Sequence, residues 1–296
     1  MARPWLRIAA CLACLPGLGC PEAPAPDERP LVAVSVLPQR SFVEAIAGDR
    51  VRVEVMVPPG ANPATHEPGV EQLRWLSRAI FYVKVGHPGF PFEAAWLDRL
   101  LADHPELEVV DAGAGLGAQT GDPHLGDPHL WVSPRRALAM AKAIAAALSR
   151  ALPAERNAFQ ANLARFAAQV DALDTEIGRI LAPHRGQRFL VVHPAWGTLA
   201  DDYGLVQVAL EPEGKEPDAG SLARRVREAR AAGVQVVFAQ PHFDDSTARV
   251  VADEIGARVE MLDPLAPAWG ENLLQVAHAL AAGAVPSRRR RWSWWG

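Results

Sequence analysis

His66 in GANPATHEP, His87 in KVGHPGF, His129 in GDPHLWVSP, His193 in VVHPAWG and Asp263 in MLDPLAP are spread along this chain, each where a strand-like run or the loop behind it ends. Neutral imidazole nitrogens with one carboxylate form the donor set that zinc prefers, and ligands drawn from distant segments enclose a metal where two lobes meet. Any one of these histidines alone reads as a hydrogen-bonded or solvated side chain. Their shared position at strand ends points the set to metal binding.

The elements that must position them are short β-branched runs alternating with longer Ala/Leu/Arg segments, the pattern of strand–helix–strand units around a mostly parallel sheet. LVAVSVL, VRVEVMV, IFYVKVG and LEVVDA read as strands before residue 115, and FLVVH, VQVAL, VQVVFAQ and RVEMLD as strands after residue 188. Between them, Ser133 and Pro134 read as an N-cap and first helical residue opening a helix through ALAMAKAIAAALSRAL. Pro153 reads as the start of the next helix, where Phe159, Leu163, Phe166, Val170, Leu173, Ile177 and Ile180 form one apolar stripe at alternating steps of four and three. A rod of that length braces two lobes. The expected fold is therefore α/β, two lobes with mostly parallel sheets joined by one long helix. Its segments are a 31–150 N-terminal lobe, a 153–182 linking helix and a 185–285 C-terminal lobe. Ligands of open parallel sheets collect beyond the carboxyl ends of the strands. His87, His193 and Asp263 follow strands directly, the turn-rich PPGANPAT folds His66 back toward the same opening, and His129 precedes the Ser133-capped helix. One inter-lobe cleft collects them all.

MARPWLRIAACLACLPGLGC places Arg3 and Arg7 ahead of an apolar run too short to span a bilayer, so residues 1–20 read as a secretory leader. All three cysteines, Cys11, Cys14 and Cys20, fall in it, which leaves the body without a disulfide. GLGC resembles a lipoprotein cleavage site with Cys20 as the acylated residue, although Gly17 stands where a leucine is usual. Residues 21–30 read as a flexible tether. The formal net charge of −4 offers no basic footprint for nucleic acid, and no later run is long and apolar enough for a membrane span. The basic and aromatic tail at 286–296, ending RRRRWSWWG, reads as a disordered end, with contact to anionic lipid or a partner as the alternative.

The segments VAVSVLPQRSFVEAIAGDRVRVEVMVPPGANPATHEP, DPHLWVSPRRALAMAKAIAAAL, FLVVHPAWGTLADDYGL, VQVVFAQPHF and ARVEMLDPLAP, in that order, resemble the zinc- and manganese-binding substrate-binding proteins of bacterial ABC importers. The resemblance spans nearly all of the chain after the leader. It implies two α/β lobes joined by a single rigid helix with the metal held between them, and it carries His129, His193 and Asp263 over as ligands. The first ligand does not carry over cleanly. Ala64 occupies the position where family members have a histidine, so His66 two residues later and His87 are both candidates. A histidine at the third position, His193, suits zinc in that family, where glutamate suits manganese, and imidazole donors favour zinc on general grounds.

The expected role is extracytoplasmic zinc capture and delivery to an ABC-importer permease, without a catalysed reaction. The chain is expected to act as a monomer in the periplasm or on the outer face of the cytoplasmic membrane, touching the membrane only through a Cys20 anchor. His124, duplicated ahead of His129 in GDPHLGDPHLW, and His242, in QPHFDD beside Asp244 and Asp245, read first as solvated loop histidines and second as transient capture ligands. His104, His184 and His278 receive no role. Glu211, Glu213 and Glu216 read as a solvated acidic loop, with hydrogen bonding to a ligand imidazole as the alternative. Trp131, Trp196 and Trp269 read as core. A zinc hydrolase and a surface adhesin are the competing classes. The hydrolase lacks an HExxH motif and a glutamate placed as general base.

Overall fold

The computed structural model describes residues 27–116, 126–211 and 219–284. Cys20 with the rest of the leader, His124, Glu213, Glu216 and the 286–296 tail lie outside the described residues.

Two four-stranded sheets form, and every strand pairing in both is parallel. The first has the order β2-β1-β3-β4, from β1 (Leu31–Val34), β2 (Arg52–Val55), β3 (Ala79–Lys84) and β4 (Val109–Asp111). Helices α1 (Leu37–Ala47), α2 (Val70–Leu76) and α3 (Pro91–Ala102) connect them. After α4 (Pro134–Ala151) and α5 (Arg156–Leu181), the second sheet repeats the topology as β6-β5-β7-β8. Its strands are β5 (Arg188–Val191), β6 (Val206–Ala209), β7 (Val236–Ala239) and β8 (Arg258–Met261), connected by α6 (Gly197–Tyr203), α7 (Ala219–Ala232) and α8 (Ser246–Ile255), with α9 (Trp269–Gly283) closing the order. The two-lobed parallel α/β architecture with a long linking helix is as the sequence leads one to expect.

Helix α4 begins as its residue types require: Pro134 is the first helical residue, and Ser133 Oγ accepts the Arg136 N–H at 3.2 Å. Pro153 opens a short 3-10 turn ahead of α5 rather than α5 itself, a frequent arrangement at helix starts. Helix α5 then runs for 26 residues, about 39 Å at 1.5 Å per residue. Its stripe is buried at Phe159, Phe166, Val170 and Ile177, with Leu163, Leu173 and Ile180 packed alongside.

The core does not stop at the lobe boundary. One buried cluster runs from the first sheet through α4, α5 and α9 to Phe189, Val191, Val236 and Phe238 on one face of the second sheet. The alternate residues Leu190, Val192, Val237 and Ala239 face a smaller cluster under α7 and α8, as the two-residue period of a strand demands. Trp269, at the head of α9, packs edge-on to Phe42 of α1 at 5.1 Å and lies 5.9 Å from Phe166 of α5. Its indole N–H donates to the Trp131 carbonyl at 2.8 Å, and the Trp131 indole N–H donates to the Pro264 carbonyl at 2.6 Å. The Ser133 hydroxyl adds a bond to Asp202 Oδ2 at 2.5 Å, and burial raises that carboxyl above its ordinary pKa. Apolar packing and fixed hydrogen bonds thus join the lobes behind α5, so the cleft has a rigid floor.

The carboxyl edge of the first sheet is tied by Glu93 of α3. Its Oε1 accepts the Val85 N–H and the Ser35 hydroxyl, each at 2.5 Å, and its Oε2 accepts the Gly86 N–H at 3.0 Å. Ser35 Oγ in turn lies 2.6 Å from the buried Tyr82 hydroxyl. Burial raises the Glu93 pKa, opposed by these donors. Gly86 supplies the turn at this edge, with φ of +79° and a position where a Cβ would meet Asp111 Oδ1 at 1.8 Å. Truncating Glu93 to alanine orphans the Val85 and Gly86 N–H groups and removes one partner of the Ser35 hydroxyl, and urea denaturation is expected to show a loss of about 2–3 kcal/mol. An unchanged midpoint and slope would contradict that role.

Candidate metal centre

His129 is held by the three residues around it. Asp127 Oδ1 accepts the backbone N–H of His129 at 3.0 Å, an Asx turn across Pro128, and accepts the ring Nδ1–H at 2.7 Å. That carboxylate fixes the tautomer and leaves Nε2 with the lone pair. From the other lobe, the Thr198 hydroxyl donates to the His129 carbonyl at 3.0 Å, and Trp131 packs edge-on to the ring at 5.5 Å.

His193 follows β5, where the Val192 N–H still donates to the Phe238 carbonyl at 2.9 Å. The Gln240 amide donates to the His193 carbonyl at 3.3 Å, and Gln207 Oε1 accepts the Trp196 N–H at 2.7 Å, which pins the loop on both sides. The imidazole stacks on Phe243 at 4.6 Å. Burial pushes its pKa below the ordinary 6.5, opposed in part by Glu211, whose Oε2 lies 3.8 Å from Nδ1, beyond hydrogen-bond reach. His193 is therefore neutral at neutral pH, the form that donates to a metal.

The His129 and His193 rings, brought from opposite lobes, stand edge to face with centroids 5.6 Å apart. Both line a cavity of about 450 Å³ whose wall also includes Ala64, Phe90, His242 and Phe243. Asp263 follows β8 beside it. Its Oδ1 accepts the Leu265 N–H at 2.8 Å and the His242 Nε2–H at 2.7 Å, and Asn272 bonds its carbonyl at 2.7 Å. Among the described residues, no group of three or more His, Cys, Asp or Glu side chains is already gathered as a metal cluster. The donors instead stand as two pairs, His129 with His193 and His242 with Asp263.

His66 and His87 lie elsewhere. His66 Nε2 accepts from the Gln72 amide at 2.9 Å, and its ring stacks on Phe92 at 6.0 Å. His87 is buried, with Nδ1 accepting the Gly89 N–H at 3.0 Å. Neither lines the cavity, although Ala64 and Gly89, from the same two loops, do. Trp131, Trp196 and Trp269 are core, as expected.

Sequence reasoning passed over Asp127, Thr198 and Gln240 and ranked His242 low. For Asp127 the signal was present, because Asp-Pro-His puts a short carboxylate two residues ahead of the ligand. The other partners meet only through the fold.

Residues 32–281 match the family model described as zinc-uptake complex component A, periplasmic. The chain is 25% identical over 277 residues to the zinc-binding lipoprotein AdcA of Streptococcus pneumoniae serotype 4, covering 87% of this chain and 54% of that protein. It thus spans about half the length of this streptococcal relative. It is 26% identical over 282 residues to the high-affinity zinc uptake system protein ZnuA of Bacillus subtilis (strain 168), covering 87% of this chain and 86% of that one. A crystal structure of ZnuA superposes with a TM-score of 0.81 at 39% identity, over 86% of this chain and 99% of that chain.

Proposed function

The chain belongs to the periplasmic zinc-uptake component A family, and from that premise we propose that it captures zinc in the inter-lobe cleft and delivers it to the membrane permease of an ABC importer. The observation that carries this reading is the His129–His193 pair, two imidazoles from different lobes facing one cavity at a 5.6 Å ring separation. Neutral nitrogen donors select zinc over the harder manganese ion. His129 and His193 hold the cation as cargo, with the Asp263 carboxylate as an oxygen donor. The chain binds and releases, and no reaction is assigned to it.

Location follows from the same reading: the protein works outside the cytoplasmic membrane as a monomer, anchored through Cys20. No helix among the described residues is long and apolar enough to cross a membrane.

Isothermal titration of the purified protein with zinc is expected to give one tight site. Absence of saturable binding would overturn the reading. Asp127 acts through His129, so Asp127→Asn is expected to weaken zinc binding about 10–100-fold, the usual cost of losing a ligand's hydrogen-bond partner. It is expected to leave the far-UV spectrum unchanged. Wild-type affinity in that variant would remove Asp127 from the site.

A further inference from the structure

Among the described residues, His242 is placed unlike any histidine outside the His129–His193 pair. It stands in the loop between β7 and α8, lines the same cavity, and has a side chain only 6% exposed. Its Nε2 bonds Asp263 Oδ1 at 2.7 Å, while its Nδ1 is buried without a hydrogen-bond partner. A buried polar atom left unpaired in a cavity lined by other donors calls for an occupant. Ala64, at the position where the sequence resemblance expects a histidine, presents only a methyl group to that cavity. His66 and His87 do not line it; His66 bonds Gln72 of α2, and His87 accepts the Gly89 N–H.

We propose that His242 supplies the imidazole that Ala64 lacks, so that the metal is held by His129, His193, His242 and Asp263, and that Asp263 gives up its present bond to the His242 Nε2–H to take its place on the metal. Three nitrogens and one oxygen complete a tetrahedral zinc shell from the protein alone. The donors come from four separate segments, and the second lobe provides three of them. This inference rests on the reading of the cleft as a metal-capture site, and it shifts the remaining ligand position from the first lobe's loops to the second lobe.

Zinc affinity, read by competition with a chromogenic chelator, and the visible absorption of the cobalt(II)-loaded protein test it together. The second readout reports donor number and geometry without reference to transport. His242→Ala is expected to raise the zinc Kd more than about 100-fold, beyond the loss typical of outer partners, and to change the cobalt spectrum. His66→Ala and His87→Ala are expected to leave both near wild type. His242→Gln keeps an N–H for Asp263 and much of the side-chain volume, and it decides the matter if the alanine variant fails to fold. Near-wild-type affinity and an unchanged cobalt spectrum in His242→Gln, with binding lost in His129→Ala, would overturn the role of His242 and leave zinc capture standing. Wild-type affinity in His129→Ala and His193→Ala as well would sink the capture reading itself.

Discussion

Replacing either His129 or His193 by alanine is expected to lower zinc affinity by more than about 100-fold, a loss of at least roughly 3 kcal/mol. Both side chains line the cavity, Asp127 holding the His129 Nδ1–H and Phe243 packing on the His193 ring. Alanine at either place removes a donor that no neighbouring group replaces within the restricted metal–nitrogen bond length. The two substitutions together are expected to abolish measurable binding, because the remaining donors then come from one lobe. Burial holds the His193 pKa below 6.5, so its lone pair persists at pH 6.5 and is lost only on further acidification. The same shift has a stability consequence. Since the folded-state pKa lies below the unfolded value, the unfolded chain takes up the proton first, and His193 contributes a loss of stability as pH falls through 6.5. Titration calorimetry of both variants at neutral pH, with matched thermal melts, checks the assignment. Near-wild-type affinity in both would refute it.

Trp131→Ala is expected to cost about 4 kcal/mol of unfolding free energy, in the range for a fully buried large aromatic. Trp131 is fully buried, and its indole N–H and carbonyl take part in the two hydrogen bonds that run to Pro264 and Trp269. It also packs edge-on to Phe90 at 6.0 Å and to His129 at 5.5 Å, so the cavity it leaves opens beside a proposed ligand. Zinc affinity is therefore expected to fall together with stability. Chemical denaturation in the absence of metal, followed by titration below the new midpoint, separates the two effects. A Trp131→Phe variant keeps most of the apolar volume but loses the bond to Pro264, and it is expected to recover much of the stability. If Trp131→Ala costs under about 1 kcal/mol, the indole is not part of the floor between the lobes.

Local signals in the chain determined the elements. The β-branched runs became eight strands, Ser133 and Pro134 opened α4, and the four-and-three spacing of Phe159, Phe166, Val170 and Ile177 became the buried face of α5. Such features follow from neighbours in sequence, through strand and helix periodicity and capping, so they are legible without the fold. The same locality explains why His129 and His193 stood out: His193 follows a strand and His129 stands just ahead of the Ser133-capped helix, and strand ends in parallel sheets converge on one opening. What the chain could not decide alone was which donors share that opening. His66 and His242 both sit in turn-rich loops, and nothing within either loop distinguishes them. The fold turned His66 toward Gln72 and Phe92, and it laid His242 beside Asp263, 21 residues further on, at the cavity wall. Metal coordination depends on distances of a few ångströms between segments separated by tens of residues. Those distances are set by how the lobes pack through Trp131, Trp269 and α5, which no local pattern encodes.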